Sequence, residues 1–245
     1  QLDAWVLPSS DPHNSEYMPL RWKVRQFMSG FTASVSTMVV LKDAAYVWAD
    51  GRYWLQAEQE LAGTEIQIIY LGQPDVLPWN QWLVAQLPEG SSLGFYGATM
   101  MVKAVADIED QLKSKRISVH TEHDLTDAVW LDRPGFPMAP VFAHAMAYAG
   151  ESAQDKLNRV RDQMRKLDAQ VHVLNALDDI GYLLNLRGTD VPTSPYFHAY
   201  LVVTQQTAIL YAHLPRFSAD LVQSLKEHGV ELKPYDIFFV DLKAL

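Results

Sequence analysis

The chain has 245 residues, of which 49% are hydrophobic and 20% are charged. This composition is typical of folded domains and excludes collagen, low-complexity and disordered chains. A formal net charge of −9 disfavours nucleic acid and anionic membranes as partners, because their phosphate groups would repel the chain. The absence of cysteine excludes disulfides, a thiolate nucleophile and cysteine-based zinc sites. No apolar stretch reaches the roughly 18 residues that a membrane span requires.

The first 150 residues alternate strand-like and helix-like patterns. An apolar run over residues 4–7 is followed by a polar loop, and Leu20, Val24 and Phe27 form a helical stripe that ends at Gly30. A hairpin follows over residues 35–49, and Asp50 is placed to cap a helix over residues 52–61. Further elements are predicted as strands over residues 65–70 and 117–120 and helices over residues 78–87 and 101–112.

Three prolines and a glycine between Arg133 and Pro140 indicate a domain boundary in this part of the chain. Beyond it, apolar residues at helical spacing predict a helix around residues 157–167, followed by a strand over residues 171–174. Asn175 is expected to cap a short helix over residues 177–184, and Ser218 a later one. Paired strands are expected over residues 199–203 and 208–211, and residues 231–235 and the apolar run 238–240 follow near the end of the sequence. We therefore predict two α/β domains, over residues 1–150 and 151–245, each a mixed sheet packed with helices.

Two groups of residues could form metal sites by spacing. Asp11, His13 and Glu16 lie within six residues, and a second group lies at His120, Glu122 and His123. For the first group, a polar turn fixed by an aspartate is the favoured interpretation. The second closes a strand into a loop, which is not a typical zinc-binding arrangement. The sequence also lacks a nucleophile elbow and a glycine-rich phosphate loop.

Two polar clusters follow regular elements. Asp50-Gly51-Arg52-Tyr53 connects a strand to a helix, where α/β folds often present functional groups. Arg52 could bind a carboxylate through two parallel hydrogen bonds, or it could pair with a neighbouring surface acid. The second cluster runs from Asn185 to Asp190. Its simplest interpretation is a helix end, with Gly188 left-handed and Arg187 near the last carbonyls.

Six segments taken in order resemble the N-terminal part of cytosolic-type aminopeptidase P, an Xaa-Pro aminopeptidase of the creatinase/prolidase, or pita-bread, superfamily. They are PSSDPHNSEY at 8–17, SGF at 29–31, DGRYWLQA at 50–57, VWLDRP at 129–134, ALDDI with LLNLRG at 176–188, and KPY with DLKAL at 233–245. The order and spacing of these segments agree over nearly the whole chain.

The resemblance implies two creatinase-like domains, the second incomplete at its end, with the pita-bread catalytic domain absent from these residues. It also implies a parent metallo-exopeptidase that removes the residue preceding a proline, using two divalent metal ions, usually manganese, held by that catalytic domain. This region itself would then hold no catalytic residue and no metal. Its partners would be short peptides that carry proline as the second residue, its own catalytic domain, and a second copy of the chain in a homodimer. Its location would be cytoplasmic.

By the same resemblance, Arg52 is the expected substrate-binding residue, and His13, Glu16, Asp50, Tyr53 and Arg187 are candidates for loops beside the cleft. The chain departs from the family pattern at Ala33 and Ser36, where relatives commonly carry glycine, so an altered turn is expected there. A stand-alone binding module or a pseudoenzyme lacking the catalytic domain is the alternative. A prolidase- or creatinase-type protein is disfavoured, since those carry a single N-terminal domain.

Overall fold

A computed structural model describes residues 2–244 and divides the chain into two compact units, Gln1–Gly135 and Phe136–Leu245. The break lies within the proline-rich segment and fifteen residues before the predicted boundary at 150. That boundary is corrected because Phe142–Ala143 pairs antiparallel with Leu186–Arg187 and therefore belongs to the second unit. No helix in the described part of the chain is long and apolar enough to cross a membrane.

The first unit contains a six-stranded mixed sheet in the order β4-β3-β2-β1-β5-β6. Strand β1 pairs antiparallel with β2 and parallel with β5. The other neighbours are antiparallel for β2–β3 and parallel for β3–β4 and β5–β6. The strands are β1 Ala4–Pro8, β2 Thr37–Leu41, β3 Ala45–Asp50, β4 Ile66–Leu71, β5 Ser92–Phe95 and β6 Ser118–His120.

Helices cover both faces of this sheet because its strands carry apolar residues at successive positions. Val6 packs with α3 and α4 on one face, whereas Leu7 packs with α2 on the other. The helices are α1 Val24–Ser29, α2 Trp54–Glu60, α3 Trp79–Gln86 and α4 Val102–Leu112. The helical stripe predicted from Leu20 is divided into a 3₁₀ turn over Leu20–Trp22 and α1, which ends at left-handed Gly30 as predicted.

The second unit contains a four-stranded sheet in the order β12-β11-β10-β8. Its pairings repeat those of the first four strands of the first sheet, with two antiparallel neighbours followed by a parallel one. Strand β8 lies at the edge. The strands are β7 Phe142–Ala143, β8 Val171–Leu174, β9 Leu186–Arg187, β10 Tyr200–Thr204, β11 Ala208–Ala212 and β12 Val230–Pro234.

One face of this second sheet packs against three helices through Leu157, Ile180 and Leu225. The opposite face holds Tyr200, Val202 and Tyr211 beneath Phe238. The helices are α5 Met146–Ala149, α6 Ala153–Lys166, α7 Leu177–Leu184, α8 Ala219–Glu227 and α9 Phe238–Leu242. Two mixed α/β domains are thus confirmed.

Helix caps in the second unit follow the predictions only in part. The Ser218 hydroxyl accepts a hydrogen bond from the Leu221 N–H at 3.2 Å and begins α8 as expected. The N-cap position of α7 is Ala176, one residue after the predicted Asn175, and the Ala176 side chain makes no cap hydrogen bond.

Candidate functional site

The segment from Asp50 to Tyr53 forms a tight turn between β3 and α2. The Tyr53 N–H donates to the Asp50 carbonyl at 2.9 Å, and the Arg52 N–H donates to Asp50 Oδ1 at 3.0 Å. Asp50 therefore fixes the turn instead of capping the helix, which begins only at Trp54. The predicted capping role of Asp50 is corrected, because its carboxylate is already occupied by the turn.

The same carboxylate holds the Arg52 guanidinium through two parallel hydrogen bonds. Arg52 Nε donates to Oδ1 at 3.0 Å and Nη2 donates to Oδ2 at 2.8 Å. The hydrogen bond from Arg52 lowers the pKa of Asp50, and the pKa of Arg52 is raised in turn. The Arg52 side chain remains 67% exposed, so a charged group of fixed orientation faces solvent.

Tyr53 links this turn to the loop that follows α1. Its hydroxyl lies 2.7 Å from Ser34 Oγ, and its ring lies 5.1 Å from the Arg52 guanidinium carbon. On the same loop, the backbone N–H and the hydroxyl of Thr32 donate to the Glu60 carboxylate at 2.7 and 2.6 Å. The edge of the first unit thus presents Arg52, Tyr53, Ser34 and Thr32 together.

A buried arginine that sequence reasoning missed fixes this loop from beneath. Arg25 is 4% exposed, and its Nε donates to Ser9 Oγ at 2.8 Å and its Nη1 to the Phe31 carbonyl at 2.6 Å. Nη2 donates to the Ala33 carbonyl. Burial lowers the pKa of Arg25 to about 10, although the charge of Glu60 opposes this shift, because the direct hydrogen-bond partners of the guanidinium are neutral oxygen atoms. No sequence motif marks this position.

The two positions where the chain departs from the family pattern are well accommodated. Neither Ala33 nor Ser36 has a positive φ angle, so neither position requires glycine for its backbone conformation. The Ser36 hydroxyl donates to the Trp48 carbonyl at 2.8 Å and its N–H donates to Ser9 Oγ at 3.1 Å. The Ser36 side chain and N–H thus connect this turn to β3 and to Ser9.

The structure favours the turn interpretation for the segment containing His13 and Glu16. Asp11 Oδ1 accepts the N–H groups of His13 and Ser15, both at 2.9 Å. Asp11 and His13 are buried, whereas Glu16 is exposed. Among residues 2–244, no group of three or more histidine, aspartate or glutamate residues could hold a metal ion. The described residues therefore do not fit the dinuclear metal centre that the resemblance implies for its catalytic domain.

Arg187 belongs to the second unit and has a structural position. Its Nη1 donates to the carbonyls of Gly181 at 2.7 Å and Leu186 at 2.8 Å, at the end of α7. The left-handed residue of this helix end is Asn185, with φ 51°, and not Gly188 as predicted. Gly188 is required for another reason, since a Cβ atom there would lie 2.6 Å from Phe197 Cβ.

A buried charged cluster in the second unit was also missed. The backbone N–H and Nδ1 of His198 approach Asp190 Oδ2 at 2.8 and 3.0 Å, and Arg216 Nη1 donates to the same oxygen at 2.9 Å. The side chains of all three residues are 0% exposed. The sequence feature that could have indicated this cluster is a histidine within the apolar run FHAYLVV at residues 197–203.

Comparisons with known proteins assign the family. Residues 1–129 and residues 132–245 each match a family model described as the creatinase/prolidase N-terminal domain. The chain belongs to this family. The two matches agree with the two compact units and place one creatinase N-terminal domain in each.

Curated relatives of this creatinase N-terminal chain are aminopeptidases. Aminopeptidase P1 of Lotus japonicus is 34% identical over 245 residues, covering 100% of this chain and 37% of that protein. A probable Xaa-Pro aminopeptidase P of Neurospora crassa is 36% identical over 248 residues, covering 100% of this chain and 36% of that protein. The chain thus spans little more than a third of these relatives, and the predicted resemblance to aminopeptidase P is confirmed.

A solved structure shares the fold of nearly the whole chain. It is the X-prolyl aminopeptidase of Caenorhabditis elegans, described as a cytosolic enzyme with a di-nuclear active site. It is 28% identical, with a TM-score of 0.94, over 99% of this chain and 40% of that one.

Proposed function

We propose that this chain is the non-catalytic N-terminal region of a metal-dependent Xaa-Pro aminopeptidase, which removes the residue preceding a proline. Two creatinase N-terminal domains and the similarity to aminopeptidases over 36–37% of their length support this assignment. Two divalent metal ions, expected to be manganese, would belong to the catalytic domain of the parent. The parent enzyme would act on short peptides that carry proline as their second residue. It would form a homodimer and would be located in the cytoplasm.

Within this region, we assign Arg52 to binding the peptide substrate. The observation that carries the assignment is an exposed guanidinium held in one orientation by Asp50 at a strand-to-helix turn. Nη1 donates no hydrogen bond to the described part of the chain, so it can bind a peptide carbonyl or terminal carboxylate. Tyr53 and Ser34 are expected to line the same edge, whereas His13 and Glu16 shape the neighbouring loop.

The test is the substitution Arg52→Ala in the polypeptide that joins this region to its catalytic domain. Loss of a charge-assisted hydrogen bond to a partly solvated substrate is expected to raise KM about tenfold, with kcat little changed. Arg159→Ala is a matched control, because Arg159 pairs with Glu151 through two hydrogen bonds of 2.9 and 2.8 Å and is 61% exposed. Equal kinetics for the two variants would show that Arg52 forms only a surface ion pair with Asp50 and does not bind the substrate.

A second assay addresses the region alone. The purified 245-residue chain, incubated with an Xaa-Pro peptide and Mn²⁺, is expected to hydrolyse nothing, since its described residues hold no metal cluster. Hydrolysis by the pure chain would refute the assignment. Tight peptide binding without hydrolysis would instead favour the stand-alone binding module.

A further inference from the structure

The side chain of Tyr53 contacts both the apolar core of the first unit and the Arg52 guanidinium. Its ring packs against the buried cluster that contains Phe31 and Ala57. The guanidinium carbon of Arg52 lies over this ring, 5.1 Å from the ring centroid. An aromatic face attracts a cation placed over it. The ring therefore joins the exposed charge of Arg52 to the core.

The hydroxyl group of Tyr53 is held by a loop that is itself fixed from beneath. Tyr53 Oη lies 2.7 Å from Ser34 Oγ. Ser34 directly follows Ala33, whose carbonyl accepts a hydrogen bond from the buried Arg25 guanidinium. That carbonyl belongs to the planar peptide unit that joins Ala33 to Ser34. Arg25 therefore fixes the backbone that carries the hydrogen-bond partner of Tyr53.

The ion pair with Asp50 holds only part of the Arg52 guanidinium. It engages Nε and Nη2, and the two side chains are 29% and 67% exposed. An exposed ion pair of this kind is weak, because water competes for both groups and two side chains must be ordered. The ring of Tyr53 supplies a second contact, which is anchored in the core.

We propose that Tyr53 is a positioning residue for substrate binding, which holds the Arg52 guanidinium so that Nη1 faces the peptide. This inference rests on the proposed role of Arg52. Tyr53 itself does not touch the substrate in this arrangement. Ser34 supports it by fixing the orientation of the ring through the hydroxyl group.

The kinetic test is Tyr53→Leu in the polypeptide that joins this region to its catalytic domain. Leucine keeps an apolar side chain against the core but removes the aromatic face and the hydroxyl group. Loss of an exposed cation–π contact is expected to raise KM about two- to fivefold, with kcat little changed. Since Tyr53 acts through Arg52, the same substitution in an Arg52→Ala background should raise KM no further.

Tyr70→Leu is the matched control for this substitution. The Tyr70 hydroxyl also donates to a side chain, Glu58 Oε1 at 3.0 Å, and its ring lies against Trp54 with centroids 5.7 Å apart. This variant makes the same chemical change on the same unit and should leave KM unchanged.

The outcomes separate this proposal from the one on which it rests. If Arg52→Ala raises KM and Tyr53→Leu does not, the positioning role of Tyr53 is overturned and the role of Arg52 stands. An equal rise in KM with and without Arg52 would also overturn it, because Tyr53 would then act independently of the guanidinium. An unchanged KM for Arg52→Ala would overturn the proposed role of Arg52, and the positioning role with it.

A second measurement observes the guanidinium directly in the 245-residue chain. The heteronuclear NOE of the Arg52 Nε–H group, measured by ¹⁵N NMR, reports how firmly this group is held. It is expected to fall in Tyr53→Leu and in Ser34→Ala, whereas the Nε–H of Arg159, which donates to Glu151 at 2.9 Å, should not change. If Tyr53→Leu does not fold, Ser34→Ala decides, because Ser34 is exposed and its substitution leaves the core intact. An unchanged Arg52 signal in Ser34→Ala would then overturn the proposal.

Discussion

Replacing Asp190 with asparagine tests how much the buried charged cluster of the second unit contributes to stability. Asp190 accepts hydrogen bonds from His198 and from two nitrogen atoms of Arg216, and the three side chains are 0% exposed. Asp190→Asn keeps the shape but removes the charge, which leaves the Arg216 guanidinium buried without a counter-ion. Removing one partner of a buried ion pair costs about 3–5 kcal/mol.

For a domain of about 100 residues, this loss corresponds to a fall in Tm of roughly 12–20 °C. The assay is thermal unfolding by circular dichroism, with hydrogen exchange of β10 and β11 amides to assign the transition to the second unit. Asp50→Asn is the matched control, since it makes the same chemical change in an exposed Asp–Arg pair and should leave the transition unchanged.

The pH dependence of the same variant gives an independent check. Burial alone would raise the pKa of Asp190, but hydrogen bonds from His198 and Arg216 outweigh it and lower the pKa. Because the folded pKa lies below the unfolded one, this carboxylate stabilises the fold above about pH 4 and loses that effect at lower pH. The difference in stability between the native chain and Asp190→Asn should narrow as the pH falls below 4. A Tm for Asp190→Asn within about 3 °C of the native value would refute the reasoning, because the substitution would then cost less than about 1 kcal/mol.

Three further outcomes are expected. Gly188→Ala should destabilise the second unit by about 1–3 kcal/mol in urea unfolding, because its Cβ would meet Phe197, whereas Gly135→Ala has open space and should be neutral. Arg25→Met should speed amide hydrogen exchange in the loop that contains Phe31 and Ala33, because three hydrogen bonds of the guanidinium are lost. Unchanged exchange rates would contradict the role of Arg25 in fixing this loop. Burial and Asp241 raise the pKa of Tyr211 to about 12, so its phenol should ionise late in an absorbance titration at alkaline pH. Because the folded pKa exceeds the unfolded one, stability should fall between about pH 10 and 12, and a titration near pH 10 in the folded chain would refute this.

Local periodicity was sufficient to predict most of the elements. The strand over residues 171–174 and the helix over residues 177–184 match β8 and α7 residue for residue, because short apolar runs between polar turns are informative. The apolar run at Phe238 is helical in the structure, although a run of this length suits either a strand or a helix. Its conformation depends on packing of Phe238 against Tyr200, which is a tertiary contact.

The candidate site was predictable where its residues are neighbours in sequence. Asp50 and Arg52 are two positions apart, and the alternative that Arg52 pairs with a nearby acid describes the observed geometry. Arg25 could not be identified in this way, since its partners are backbone carbonyls and a serine brought close by folding. The Asp190 and Arg216 pair spans 26 residues, and no spacing rule connects them.

The position of β8 at the edge of the second sheet has a practical consequence. One long side of β8 has no neighbouring strand in the described part of the chain, and Val171 and Val173 are 36% and 39% exposed. Exposed backbone groups beside β-branched side chains can recruit strands from other molecules. The isolated chain should therefore self-associate as its concentration rises, and Val173→Lys should act as a gatekeeper that keeps it monodisperse during purification.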